Sequence, residues 1–117
     1  MHEYPVTLEI IRQAEEACRA ENGAAVEEIT IVAGGNCGYL PASIALYFDI
    51  IARGSLCERA RLKFIRVAPK LKCTNCGGLF IRKPFSFECP VCGGEGLPTD
   101  IGREFYVKDV KLEGLRC

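Results

Sequence analysis

Histidine is nearly missing from this chain: there is one in 117 residues, at position 2. With no second imidazole, nothing of that kind is available to activate Cys37 or Cys57 as a nucleophile. An excess of charge is missing too, since Lys plus Arg and Asp plus Glu number 15 each. A neutral chain without a long basic stripe does not read as one held to nucleic acid mainly through phosphates. Long hydrophobic runs are also lacking. The most apolar stretch, "LPASIALYFDIIA", is too short to span a bilayer and carries Asp49. No basic segment followed by an apolar run stands at the start, so a signal peptide is not expected. "GGNCG" lacks the Lys-Ser/Thr of a phosphate-binding loop, and no acid–base pair or nucleophile constellation is evident. The expectation is a cytoplasmic protein that is not an enzyme and has neither membrane nor nucleic acid as partner.

Cysteine, by contrast, is plentiful, with eight residues. In a cytoplasmic setting these read as metal ligands or free thiols rather than a disulfide frame.

Residues 6–21, "VTLEIIRQAEEACRAE", have helical periodicity. Leu8, Ile11, Ala14 and Cys18 form the expected apolar stripe, with Ile10 and Ala17 beside it and Glu9, Glu15, Glu16 and Arg19 turned to water. Pro5 suits a first turn, and Asn22-Gly23 a helix stop. "VEEITIVA" (26–33) is dense in β-branched residues and reads as a strand. After the loop "GGNCGYLP", Pro41 opens a second helix over about 42–53, ended by Gly54, which should be the most buried element. "RLKFIRV" (61–67) and "EFYVKDVKLE" (104–113) read as two further strands. A phase switch between Val107 and Val110 suggests a bulge in the last. The expected fold class is α+β: two helices packed on a small three-stranded sheet, with an inserted zinc-ribbon-like four-cysteine domain. Residues 1–69 plus 104–117 would form the α+β domain, and 70–103 the insert.

The insert carries the strongest motif. Cys73-x2-Cys76 and Cys89-x2-Cys92 are separated by twelve residues. Each pair can make a turn whose thiolates face one ion while backbone N–H groups donate to sulfur. Gly77-Gly78 and Gly93-Gly94 follow the pairs, where the turn after each second cysteine often needs a positive φ. Four thiolates suit tetrahedral Zn(II), closed to catalysis and structural in role, and an insert this small could not fold without its metal. "LFIRKPFSFE" would form a short hairpin, with Phe85 and Phe87 packed under the site and Arg82-Lys83 at a solvated tip. Cys18 reads as a core residue, Cys37 and Cys57 as incidental, and Cys117 as a disordered terminal residue.

At the amino terminus, the Met1 amine and the His2 backbone nitrogen can close a five-membered chelate ring. The same backbone nitrogen and the imidazole Nδ1 close a six-membered one. Three coplanar nitrogens suit Ni(II) or Cu(II), with the fourth position left to Glu3 or an outside donor. A terminal histidine with no role is the commoner case, so this stretch alone leaves both readings open.

The ordered set "MHE", "GGNCGYLP", "YFDIIARGSL", "CTNCG", "CPVCGG" and "YVKDVKLE" covers nearly the whole chain. Together these motifs resemble the HypA/HybF family of hydrogenase-maturation nickel metallochaperones. Asn36-Cys37 depart from that family's usual apolar residue and serine, and no histidine flanks the zinc cysteines. The resemblance implies Ni(II) as transient cargo on Met1 and His2, with Glu3 contributing, and structural Zn(II) on Cys73, Cys76, Cys89 and Cys92. It implies delivery of nickel for [NiFe]-hydrogenase, in some organisms also urease. The implied partners are a nickel-handling GTPase and the hydrogenase large subunit, for a monomer or homodimer. The alternative is a zinc-ribbon module that binds nucleic acid or acts as a protein adaptor, using Arg82, Lys83, Phe85 and Phe87.

Overall fold

The computed structural model describes residues 3–115; Met1, His2 and Cys117 lie outside the described residues. The elements are α1 (Glu3–Ala20), β1 (Gly23–Gly34), α2 (Pro41–Ile51), β2 (Arg61–Val67), β3 (Lys70–Cys73), β4 (Leu79–Ile81), β5 (Gly96–Pro98) and β6 (Phe105–Leu115). They form two three-stranded sheets, in the orders β2-β1-β6 and β4-β3-β5. The three strands expected from β-branched patterning make the first sheet, and the last of them returns beside β1. The contacts divide the chain into two compact units. One takes in α1, β1 as far as Val32, Tyr39–Ile65 and β6 from Tyr106 onward. The other takes in Ala33–Gly38 and Arg66–Phe105. No described helix is long and apolar enough to cross a membrane.

In the first unit, α1 buries Glu3, Thr7, Ile10, Ile11, Ala14 and Cys18. These steps of three and four residues trace one helical face. Leu8, expected on that stripe, is one residue out of step and 42% exposed. Thr7 takes the buried position because its hydroxyl donates to the Glu3 carbonyl at 2.6 Å. Glu15 does not face water alone, since its carboxylate accepts the Leu56 N–H at 3.1 Å. Asn22 supplies the left-handed turn after α1, at φ 54°.

Cys18 is fully buried and donates to the Gly23 carbonyl, and a Cβ on Gly23 would meet both Cys18 and Leu112. Helix, central strand and final strand therefore converge there. Every residue of β1 from Ile29 to Gly34 is buried, as a central strand covered on both faces requires. Ion pairs Arg61–Glu28 and Lys111–Glu27 join side chains of β2 and of β6 to those of β1.

Helix α2 starts as expected, with Pro41 in its first turn, but it is not the most buried element. Only Ile44 and Phe48 are buried, while Leu46 and Ile50 are more than half exposed. An apolar residue on every face does not supply a neighbour for every face. Helix α2 packs on α1, with Tyr4 and Tyr47 edge to face at 5.7 Å. In β6, Lys108 and Asp109 are both exposed between half-buried Val107 and Val110, so the phase does switch there.

In the second unit, β3 pairs antiparallel with β4 on one side and β5 on the other. "LFIRKPFSFE" does not form the expected hairpin. Leu79–Ile81 pairs back onto β3, and Glu88 bridges to Glu95. The two cysteine turns are themselves the hairpin tips, which leaves the intervening segment as a connection between them.

Candidate metal centre

Cys73 ends β3, and its turn leads through Cys76 into β4. Cys89 and Cys92 occupy the second turn, between the bridged residues Glu88 and Glu95. In each turn the N–H of the following glycine closes on the first cysteine: Gly77 on the Cys73 carbonyl at 3.0 Å, and Gly93 on the Cys89 carbonyl at 2.9 Å. Gly77 and Gly93 have positive φ, 75° and 76°, while Gly78 and Gly94 do not, so the first glycine after each pair takes the left-handed turn. Two similar turns are thus presented to one point.

The four sulfurs lie within 4.8 Å of one another. Cys73 and Cys92 approach to 3.3 Å, and Cys76 and Cys89 to 3.8 Å. These separations are far longer than a disulfide bond of about 2.05 Å. They bracket the sulfur–sulfur edge of about 3.8 Å in a tetrahedron with metal–sulfur bonds of about 2.3 Å. Cys73 and Cys89 are buried, whereas Cys76 and Cys92 are exposed. The ion would therefore sit at the surface of the unit, backed by its core.

Backbone donors surround the sulfurs. Asn75 and Cys76 N–H point at Cys73 Sγ, and Gly94 N–H at Cys92 Sγ, each at 3.4 Å. The Asn75 side chain, then the Gly94 amide, hold the Cys92 thiol down to about 6. The Cys92 and Val91 amides lower Cys89. At Cys76 the Gly78 amide pulls downward, but the neighbouring thiols outweigh it and the group rises to about 11. Four negative sulfurs cannot crowd together without a cation. The donor set and its geometry fit a divalent metal.

Beneath the sulfurs lies a small core of Leu71, Cys73, Phe80 and Cys89. Phe85 and Phe87 do not fill it as expected: Phe85 is wholly exposed and Phe87 half exposed. Leu71 and Phe80 take that place, as facing residues of β3 and β4. The signal was present in "LKC", since Leu71 stands two residues before Cys73 and so on its face of the strand. Arg82 sits over the Phe87 ring at 4.3 Å, which covers one aromatic face.

Of the amino-terminal residues singled out from sequence, Glu3 is described. It is 9% exposed, and its carboxylate accepts the Leu40 N–H. Among the described residues, Cys18, Cys37 and Cys57 do not join the metal cluster. Cys18 and Cys57 are buried, and burial, then the charges of Glu15 and Cys18, push Cys57 up to about 12.

A family model for hydrogenase/urease nickel-incorporation metallochaperones, HypA, matches residues 1–112. A hydrogenase maturation factor HypA from Caldanaerobacter subterraneus is 38% identical over 114 residues, spanning 97% of this chain and 100% of that protein. One from Geobacter metallireducens is 32% identical over 113 residues, with 97% and 100% covered. The solution structure of the Ni metallochaperone HypA from Helicobacter pylori superposes with a TM-score of 0.63 at 20% identity, covering 95% of this chain and 97% of that one. That likeness bears on the fold alone. With the family model spanning both the amino-terminal residues and all four clustered thiols, this chain belongs to the HypA family of hydrogenase/urease nickel-incorporation metallochaperones.

Proposed function

We propose that this protein carries Ni(II) at its amino terminus and hands it on for maturation of [NiFe]-hydrogenase, and of urease where that is the client. Nickel is cargo here, held by the Met1 amine, the His2 backbone nitrogen and the His2 imidazole. Glu3 contributes by fixing the arm, since its carboxylate is engaged at the start of a rigid helix. The protein makes and breaks no covalent bond in the client. It acts in the cytoplasm with a nickel-handling GTPase and the hydrogenase large subunit. Residues 1–69 with 104–117 serve as the nickel-binding domain and 70–103 as the zinc-binding domain.

Zn(II) is the metal assigned to Cys73, Cys76, Cys89 and Cys92. Soft thiolates and a tetrahedral arrangement suit it, and four protein ligands leave no open position, so its role is structural. The nitrogen-rich chelate at Met1–His2 suits Ni(II) instead. The chemistry of the two donor sets thus keeps cargo and structural ion apart.

The observation that carries this reading is the family match over residues 1–112. The test is a nickel titration of untagged protein with zinc quantified in parallel. His2→Ala should abolish specific nickel binding, and an amino-terminal extension of one residue should weaken it. Zinc content and fold should persist in both. Nickel affinity that survived both changes would overturn the reading.

A further inference from the structure

The neutral total charge conceals a polarised chain. From Arg59 through Phe87 there is no Asp or Glu, while eight of the 15 Lys and Arg residues fall there: Arg59, Arg61, Lys63, Arg66, Lys70, Lys72, Arg82 and Lys83. Three of the eight, Lys70, Arg82 and Lys83, line one cleft of about 440 Å³. It lies wholly within the second unit, where β4 and β5 end and β3 begins. This is the end of the small sheet away from the cysteines.

The cleft has an apolar wall and a cationic rim. Ile81, Phe87 and Ile101 are among its lining. Among the described residues, no carboxylate comes within ion-pair distance of Lys70, Arg82 or Lys83, whereas Arg12, Arg19, Arg61, Arg103 and Lys111 are all paired. Asp100, next to the lining residue Thr99, is engaged with Arg103. Arg82 is held in place twice over. Its Nε donates to the Ser86 carbonyl at 3.2 Å, and its guanidinium lies over Phe87 at 4.3 Å. A cation held in this way loses little side-chain freedom on meeting a carboxylate.

We propose that this cleft is a docking site for an acidic peptide segment of a partner protein, with an apolar side chain seated against Ile81 and flanking carboxylates met by Lys70, Arg82 and Lys83. Charge complementarity selects the partner and speeds the encounter, and the concave apolar wall fixes the register. A single-stranded nucleic acid is the poorer fit. It wants free aromatic faces along a basic groove, and in this cleft Arg82 already covers the Phe87 ring.

This inference goes beyond nickel carriage and is independent of it, because the test below contains no nickel. Zinc-loaded full-length protein is titrated into a fluorescein-labelled peptide of Glu, Leu and Gly residues, followed by anisotropy. A peptide with Lys in place of Glu and an oligothymidine are run alongside. Amide chemical shifts locate the bound peptide. Saturable binding of the Glu peptide is expected, with shifts centred on Ile81, Arg82 and Ile101. Arg82→Glu with Lys83→Glu should weaken it about tenfold or more, with metal content and the remaining amide spectrum unchanged. Lys70→Glu, outside the Arg82–Phe87 stack, should weaken it as well. The proposal is overturned if the double variant binds the peptide as tightly as the parent does. It also falls if the Lys peptide binds equally well, if the shifts lie outside the cleft, or if oligothymidine takes the same residues in preference.

Discussion

The Glu3 carboxylate accepts the Leu40 N–H at 3.3 Å, joining residues 37 positions apart. Leu40 caps α2 with no side-chain bond of its own, so the contact ties the first turn of α1 to the entry of α2. The Glu3 carbonyl also takes the Thr7 hydroxyl at 2.6 Å. Glu3 is thus fixed through its backbone and its side chain. Removing the acceptor in Glu3→Leu should cost about 0.5–1.5 kcal/mol, the net worth of a typical hydrogen bond, because this bond is only partly buried. Glu3→Gln keeps an oxygen for Leu40 and should lose less than half of that. Urea unfolding of both variants checks the order.

Removing the metal should separate the two units. Among the described residues, Leu71 and Phe80 are the only sizeable side chains in the core beneath the cysteines. Such a core cannot offset the entropy of ordering two turns and three short strands. Chelation, or Cys76→Ser, should therefore collapse the amide dispersion of β3, β4 and β5 while α1 and α2 keep theirs. Metal analysis should give one tightly held ion per chain in the parent protein. Substituted Co(II) should show thiolate charge-transfer absorption, which Cys76→Ser would weaken.

The buried thiol of Cys57 makes alkali destabilising. Burial, then the charges of Glu15 and Cys18, raise it from an ordinary 9.0 to about 12. A raised value means that the fold favours the protonated thiol. The associated stability is complete below pH 9, where the unfolded thiol is also protonated, and is lost as the pH rises toward 12. Between those limits the unfolding free energy of the parent should fall more steeply with pH than that of Cys57→Ala. The difference between the two curves isolates this group from Tyr and Lys. At pH 8, Cys57 should also resist iodoacetamide until urea is added.

The sequence made the metal cluster legible because paired Cys-x2-Cys spacing is a local signal, and each turn needs only its own glycine, Gly77 or Gly93. The strands of the main sheet were legible for a similar reason, since β-branched runs at 26–33 and 61–67 declare themselves residue by residue. What was lost depends on neighbours that the sequence does not name. Leu46 and Ile50 look like core residues yet meet no covering element among the described residues. Phe85 looked like packing for the metal site, but Phe80 faces Leu71 across the β3–β4 ladder and fills that space first. The Glu3–Leu40 link spans two elements and leaves no periodic trace. The total charge of zero averaged away the acid-free stretch from Arg59 to Phe87.

The glycines of "GGNCG" can be tested directly. A Cβ on Gly34 would stand 2.0 Å from the Gly102 carbonyl oxygen and 2.2 Å from its carbon. That closeness is built in: the Gly34 N–H donates to the Glu104 carbonyl at 2.7 Å, and the Asn36 N–H to the Gly102 carbonyl at 2.7 Å. Gly102 in turn has φ 104°, and its own N–H is held by the Glu104 carboxylate at 2.7 Å. Backbone faces backbone here, so no flexible side chain can give way. Gly34→Ala must break at least one of these bonds or move the strand, at a cost of about 3 kcal/mol or more. Gly78→Ala is the control, because its Cβ would meet nothing closer than Cys76 Sγ at 3.5 Å. Thermal unfolding of zinc-loaded protein should show a loss of several degrees for Gly34→Ala and little change for Gly78→Ala. Equal stability of the two variants would mean that the strand end and the Gly102 turn can part without cost.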